Sequence, residues 1–192
     1  MAVQFAMPHR FTVEEFQRMG ETGILSPEDR VELIEGEIVE MTPVGSRHVS
    51  CVMDLDDFFR EVVGKEIRIS VQNPLVLEGS HPHPDVALLR RRAEGYAGGL
   101  PTPADCLLVV EVADATVLYD RNVKSRMYAR AGIPEYWVVD LPRNTVAVHQ
   151  SPQGGEYVEV EEYGYGEAWI SPALGGREVR VEDVLRPHPA GG

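Results

Sequence analysis

The stretch Cys106-Leu107-Leu108-Val109-Val110-Glu111-Val112-Ala113 decides the fold, because a single glutamate interrupts a run of apolar residues. A continuous apolar run of this length predicts a β-strand that is buried on both faces of a sheet. An ionised carboxylate is costly in such a position unless it is paired with a cation or binds a metal. We therefore expect Glu111 to belong to a functional site carried by a central strand.

Side-chain alternation predicts which neighbours accompany Glu111 on its face of the strand. They are the residues at every second position, Leu107, Val109 and Ala113. Glu111 lies near the C-terminal end of the strand, where sites in open sheets usually form. The site is therefore expected at that edge of the sheet.

Two further charged residues stand on elements close to this strand. Asp85 heads a second apolar strand, Pro84–Leu89, and Lys124 lies on the helix expected from about Tyr119 to Ala131. Largely apolar neighbours share the helix face of Lys124, so its side chain can reach back toward Glu111. Two acids and a lysine in this arrangement suggest metal-dependent phosphodiester chemistry. The alternative is a buried Glu–Lys pair that only closes an ion network.

The remaining pattern predicts an α/β fold with a mixed central sheet flanked by helices and with additional antiparallel strands. A capping box at Thr12–Glu15 begins one helix, and Ser46 is expected to cap a second helix that ends near Val63. Strands are expected at Ile67–Val71, Leu75–Leu77, Pro84–Leu89, Cys106–Ala113, Glu135–Asp140, Asn144–His149 and Glu156–Val160, with a hairpin at Arg30–Met41.

Length and composition favour one globular unit. The 192 residues are 43% hydrophobic, so we expect a single domain over 1–192 with a core at about 10–150, a β extension at about 151–185 and a frayed tail at 186–192. Cys51 and Cys106 are expected to be reduced core residues, and a cytoplasmic location is the default. The net charge of −13 counts against a protein that coats DNA nonspecifically.

Several motifs together resemble the Uma-two family of the PD-(D/E)XK nuclease superfamily, whose members are described as restriction endonucleases. The resemblance covers roughly residues 10 to 150, and its longest and most specific part is Tyr128–Asp140. The other matching segments are Phe11–Phe16, Glu32–Ile38, His48, Pro84–Ala87, Val110–Val112 and Tyr119–Lys124. This chain carries Asp114-Ala115 where many members carry Ser-Pro after the second acid.

The resemblance implies a restriction-endonuclease-like fold and a metal-dependent endonuclease that acts on DNA. A homodimer is expected, because cleavage of two strands needs two sites. The resemblance also implies that Asp85 and Glu111 bind Mg²⁺, with Mn²⁺ as the alternative ion, and that the backbone carbonyl of Val112 adds a ligand. The lysine expected two residues after the second acid is absent, because Ala113 occupies that position. Lys124 is expected to replace it as the catalytic lysine, with Glu32 and His48 as auxiliary residues.

Two other functions remain open at this point. One is a catalytically inactive descendant that binds nucleic acid or a protein, and the other is a phosphoesterase that acts on a small substrate. Glu32 is alternatively an outward-facing hairpin residue and His48 a hydrogen-bonded core histidine. Tyr128 and Trp137 are expected in the core. A zinc site at His81 and His83 lacks further cysteine or histidine ligands.

Overall fold

The computed structural model describes residues 7–26 and 28–186. Of the tail expected at 186–192, residues 187–192 lie outside the described residues. The strands are β1 (Val31–Ile34), β2 (Glu37–Glu40), β3 (Ile67–Val71), β4 (Val86–Arg90), β5 (Cys106–Ala113), β6 (Glu135–Asp140), β7 (Thr145–Gln153), β8 (Glu156–Tyr163), β9 (Ala168–Ser171) and β10 (Arg177–Arg180). The helices are α1 (Val13–Glu21), α2 (Ser46–Val62), α3 (Val117–Tyr119), α4 (Ser125–Arg130) and α5 (Val181–Val184), and a π-helical segment (Asp120–Lys124) joins α3 to α4.

Six strands form the central sheet in the order β3-β4-β5-β6-β7-β8. Only β5 and β6 pair in parallel among these strands, and the crossover between them contains α3, the π-helical segment and α4. The other neighbours in the sheet are antiparallel. Two-stranded antiparallel pairs, β1–β2 and β9–β10, lie outside it. The predicted α/β class with a mixed sheet, flanking helices and extra antiparallel strands is confirmed.

Both faces of the sheet are covered, so the core has two layers. On one face α2 and α5 pack against the sheet, with Phe59 and Trp137 fully buried. On the other face α4 contributes Tyr128, which packs beside Tyr136. The expected core positions of Tyr128 and Trp137 are confirmed, and both cysteines are free and buried.

Strand β5 confirms the prediction made from the apolar run, with one change of face. Leu107 packs with Leu108 on the α2 side rather than with Val109 on the α4 side. The pairing register between β4 and β5 shifts at Leu88/Leu89, and this irregularity interrupts the alternation near the start of β5. The alternation holds from Val109 onward, so the face of Glu111 is as expected.

The β1–β2 hairpin turns at two residues in the left-handed region, Glu35 with φ 51° and Gly36 with φ 80°. Successive left-handed residues are typical of the type I′ turn, whose twist matches that of antiparallel strands. An added Cβ at Gly36 would lie 2.7 Å from the Cβ of Arg10, so glycine is required there. The amide of His81 donates to the carbonyl of Leu33 and docks the hairpin against the segment that leads into β4.

Two local predictions were wrong. Gly45, not Ser46, is the N-cap of α2, and it provides no side-chain cap. Leu75–Leu77 was expected to be a strand, but it is a largely buried loop. The N–H of Leu75 donates to the carbonyl of Pro82 and the N–H of Val76 to that of Pro101, so this segment joins no strand of the sheet.

No described helix is long and apolar enough to cross a membrane.

Candidate active site

A pocket of about 310 Å³ opens beside the C-terminal end of β5. The β1–β2 hairpin, the segment between β2 and α2, and the loop after β5 surround it. Its charged and imidazole lining residues are Arg30, Glu32, Glu40, His48, His83, Asp85, Glu111, Asp114, Asp120 and Lys124. All five sequence-predicted side chains, Asp85, Glu111, Lys124, Glu32 and His48, therefore meet at one place.

Asp85 is a nearly buried carboxylate held by three donors. Its Oδ2 accepts from the backbone N–H of Val112 at 2.8 Å and lies 3.0 Å from His48 Nε2. Its Oδ1 accepts from Gln72 Nε2 at 3.2 Å. Asp85 immediately precedes β4, and its bond to Val112 continues the β4–β5 contact beyond the paired residues. The carboxylate is thereby fixed in orientation at the edge of the pocket.

His48 lies in the first turn of α2 and connects that helix to Asp85. Its side chain is buried on the apolar helix face expected from the sequence. Its Nδ1 is buried and has no hydrogen-bond partner among the described residues. The hydrogen bond of His48 goes to Asp85, so this buried histidine contacts the pocket and does not serve the core alone.

Lys124 forms the centre of a cluster of carboxylates. Its Nζ lies 3.0 Å from Glu111 Oε1, 3.2 Å from Glu32 Oε2 and 3.9 Å from Asp120 Oδ1. All four side chains are buried. Glu32 also accepts from the backbone N–H of His83, so the hairpin acid points inward. The outward-facing alternative for Glu32 is wrong.

Three carboxylates around one ammonium leave this cluster with excess negative charge. Burial raises the pKa of Glu111 to about 8, although Lys124 opposes the shift. Burial also raises the pKa of Asp120. For Lys124 burial favours the neutral amine, but Glu111, Glu32 and Asp120 together outweigh it and raise the pKa. Lys124 therefore stays charged, and the cluster favours binding of a further cation or proton.

The π-helical segment brings Asp120 and Lys124 to the pocket together. The N–H of Ser125 donates to the carbonyl of Asp120, five residues earlier, whereas an α-helix would use the carbonyl of Arg121, four residues earlier. Tyr136 Oη also donates to that carbonyl, and Thr116 Oγ1 donates to Asp120 Oδ2 at 2.6 Å. Such π segments often occur at functional sites. A continuous α-helix was expected here, so the sequence did not reveal this feature.

The acids of the pocket suit a hard divalent cation. Asp85 Oδ1 has one donor, and Glu111 Oε2 accepts no hydrogen bond from the described residues, while Glu111 Oε1 is occupied by Lys124 and Tyr128. Each acid thus keeps an oxygen with capacity for a ligand. Over residues 7–26 and 28–186 no group of three or more His, Cys, Asp or Glu forms a metal cluster. Two carboxylates plus water and phosphate oxygens are the ligand set that Mg²⁺ commonly takes, whereas zinc sites use more protein ligands.

Three site residues were not predicted from the sequence. Gln72, in a left-handed conformation with φ 51°, bonds Asp85 from the segment after β3. Asp120 stands four residues before Lys124, a spacing that could have indicated it. Tyr128 was expected in the core, where it lies, but its hydroxyl also donates to Glu111 Oε1 at 2.8 Å.

Most arginines near the crossover are paired with acids rather than arranged around the pocket. Arg121 bonds Asp140 and Glu162, while Arg126 and Arg130 pair with acids of β8 and of the β1–β2 turn. The pocket lining contains six acidic residues, and among the described residues only Arg30 and Lys124 add cations to it. The pocket is therefore not a basic cleft.

Comparisons with known proteins agree with this architecture. The sequence model of the Uma2 family, described as "Putative restriction endonuclease", matches residues 13–182. No curated protein matches the chain. The crystal structure of "a putative nuclease belonging to DUF820 from Anabaena variabilis ATCC 29413" is similar with a TM-score of 0.69 and 17% identity, over 91% of this chain and 97% of that chain. At this identity the structural likeness shows the fold.

Proposed function

Because the chain belongs to the Uma2 family of restriction-endonuclease-like proteins, we propose that it is a metal-dependent endonuclease that hydrolyses phosphodiester bonds in DNA. The observation that carries the proposal is the buried contact of Lys124 Nζ with Glu111 at 3.0 Å, in the same pocket as Asp85. Asp85, Glu111 and Lys124 meet in one pocket, although Lys124 lies 13 residues after Glu111 and not at the expected position two residues after it.

Asp85 and Glu111 are the residues that would hold Mg²⁺ or Mn²⁺, through the oxygens that protein donors leave available, and the carbonyl of Val112 would add a ligand. A bound divalent ion supplies charge neutralisation on the phosphate and a more acidic water. The N–H of Val112 and the ring of His48 keep Asp85 in place for this purpose. Preorganised ligands need little rearrangement during the reaction.

Lys124 provides the fixed positive charge of the site. Its ammonium stays protonated because carboxylates surround it. From this position it would orient the attacking water or stabilise negative charge that develops on the phosphate. Glu32 and Asp120 hold the ammonium when Glu111 turns toward another ligand, so we assign both as positioning residues.

Cleavage of both strands of a duplex needs two sites, so the proposal includes a homodimer with one pocket in each subunit. Size-exclusion chromatography coupled to light scattering, with and without DNA, tests this part. A protein that cuts both strands of a duplex while it stays monomeric on DNA would contradict it.

A phosphoesterase that acts on a small substrate is the second candidate. The observation that favours it is the lining of the pocket, where six acids face two cations in about 310 Å³. A small metal-bound phosphoester needs no basic groove, whereas a polynucleotide needs cations for its phosphates.

Nuclease assays with Mg²⁺ or Mn²⁺ test the proposal. We expect the wild-type protein to cut plasmid or oligonucleotide DNA, and Asp85→Ala and Lys124→Ala to lose about 100-fold or more of that activity. Lys65→Ala, an exposed lysine ahead of β3, is the matched control and should cut like wild type. Thermal melting verifies that each variant is folded.

Two outcomes would overturn the assignment. The first is a folded wild-type protein that cuts neither substrate with either metal. The second is cleavage by both variants at the wild-type rate. Hydrolysis of a small phosphodiester such as bis(p-nitrophenyl) phosphate without DNA cleavage would favour the second candidate, and neither activity would favour an inactive binding protein.

A further inference from the structure

We propose that the pocket binds one unpaired nucleotide of a single-stranded DNA segment, with Tyr119 as the platform against which the base stacks. This inference rests on the proposed nuclease function and specifies how its DNA enters the site, as a single strand or as a nucleotide extruded from a duplex. A paired base inside a duplex has both faces stacked on its neighbours, so only an unpaired or extruded base can enter such a pocket.

The chemistry of the pocket walls supports this occupant. The segment from β2 to α2 lines the pocket with apolar groups from Val39, Met41, Pro43 and Val44. Tyr119, at the end of α3, adds a half-buried aromatic ring next to the acid cluster. A base needs apolar and aromatic contacts on its faces, and its phosphate needs the charged end of the pocket. The walls therefore match the two parts of a nucleotide.

The size of the pocket also fits a single nucleotide. Its volume of about 310 Å³ is at the lower end of the range for small-ligand sites, about 300–1,000 Å³. This space accommodates a group the size of one nucleotide. It does not accommodate the width of a double helix.

The cations near the pocket are too few to neutralise a duplex backbone. Arg30 is exposed at the mouth and belongs to no ion pair within the described ranges, so it can contact one neighbouring phosphate. Other basic residues, including Arg90 and Arg91, lie at the far end of β4 from Asp85, roughly 16 Å away along the strand. Duplex binding relies on many phosphate contacts. A single strand that is held by a stacked base needs fewer phosphate contacts.

Fluorescence anisotropy with a labelled oligothymidylate of about 12 nucleotides tests the inference, because stacking of a base on an aromatic side chain strengthens binding measurably. Ca²⁺, which takes similar oxygen ligands, replaces Mg²⁺, and a gel verifies that the probe is intact afterwards. We expect the single strand to bind at least about tenfold more tightly than its duplex with oligodeoxyadenylate.

Substitutions of Tyr119 then test the stacking. Tyr119→Ala should weaken single-strand binding by about tenfold, and Tyr119→Phe should restore it, because the ring rather than the hydroxyl makes the contact. Tyr165→Ala, at a partly exposed tyrosine outside the pocket lining, is the matched control and should bind like wild type. An abasic probe should bind equally to wild type and Tyr119→Ala.

The outcomes separate this inference from the nuclease proposal. Equal or tighter binding of the duplex, or equal binding by Tyr119→Ala and Tyr165→Ala, overturns the inference even if DNA is cut. Preferential, Tyr119-dependent binding of the single strand supports it even if no DNA is cut, and in that case only the catalytic proposal fails.

Discussion

Two buried glutamates on adjacent parallel strands show how the same residue type serves opposite purposes. Glu111 lies near the C-terminal end of β5 and faces the α4 side, while Glu135 begins β6 and faces the α2 side with Trp137. Both are nearly inaccessible, at 4% and 1% exposure. Their hydrogen-bond partners differ in number and in charge.

Neutral donors surround Glu135 completely. Trp137 Nε1 and Gln150 Nε2 donate to its Oε1, and Ser171 Oγ and the N–H of Ala173 donate to its Oε2, at 2.8 to 3.1 Å. These bonds tie the end of β9 to the central sheet. Glu111 instead has Lys124 and Tyr128 on one oxygen and keeps the other oxygen available.

Burial of a charge therefore does not by itself indicate function. A buried carboxylate whose acceptors are all used stabilises the fold, and removal of it leaves its donors unsatisfied. A buried carboxylate with a free acceptor in an acidic cluster is poised to bind a cation. Four variants test how buried polar groups serve the site or the fold, and they are ordered by the size of the expected change.

Glu111→Gln should abolish the function while it leaves the fold intact. We expect a loss of about 100- to 1000-fold in DNA cleavage, because one of two metal-binding carboxylates is removed. Stability should change by no more than about 1 kcal/mol, since Lys124 keeps Glu32 and Asp120 as partners. Cleavage assays together with chemical denaturation measure both effects. Large destabilisation with normal cleavage would reverse the roles assigned to the two glutamates.

Glu135→Ala should produce the opposite result. It leaves four donors without their acceptor, so we expect a loss of about 3 kcal/mol in unfolding free energy and a fall in Tm of about 6–12 °C. Cleavage by the folded fraction at low temperature should match wild type, since Glu135 is outside the pocket lining. Calorimetry gives the Tm, and a Tm equal to that of wild type would show that the network is dispensable.

The stability of the fold should also be sensitive to acid through His149. This residue packs between Tyr136 and Tyr157, and burial lowers its pKa to about 4. The unfolded chain takes up this proton near pH 6.5 and the folded protein only near pH 4, so the unfolded state binds more protons in between. Stability therefore falls as the pH falls through this window, by at most about 1.4 kcal/mol per pH unit from this group.

His149→Gln isolates that contribution. The difference in unfolding free energy between wild type and variant should change with pH between about 6.5 and 4 and be constant at higher pH. Urea denaturation at several pH values gives the difference. A difference that does not vary with pH would show that His149 titrates in the folded protein as it does in the unfolded chain.

Tyr128→Phe should have the smallest effect. It removes the hydroxyl that donates to Glu111 Oε1 at 2.8 Å, while Lys124 continues to hold the same oxygen. We expect a loss of about 1 kcal/mol in stability and a two- to fivefold decrease in cleavage, each roughly the value of one hydrogen bond. Effects as large as those of Glu111→Gln would make Tyr128 an essential part of the site.

Local chemistry was sufficient to predict much of the fold. The apolar run of β5, the capping box of α1 and the hairpin pattern of β1–β2 each depend on neighbouring residues, and the structure contains all three. The β extension expected at about 151–185 was not divided into strands beyond Val160, and the β9–β10 pair was not predicted individually because each of its strands is only four residues long. They are held by contacts such as that of Ser171 with Glu135, which joins residues 36 positions apart.

Strand and helix periodicity act over a few residues, so the sequence was enough to identify Glu111 as a charge in an apolar strand and Asp85 and Lys124 as its expected partners. That Glu32 and Asp120 complete the cluster around Lys124 is visible only in the folded protein. The folded protein also distinguishes Glu111 from Glu135, which are both acids in apolar strands of the sequence. The free energy of a buried charge depends on hydrogen-bond donors that distant segments of the chain bring to it. Those donors cannot be identified from the spacing of residues in the sequence.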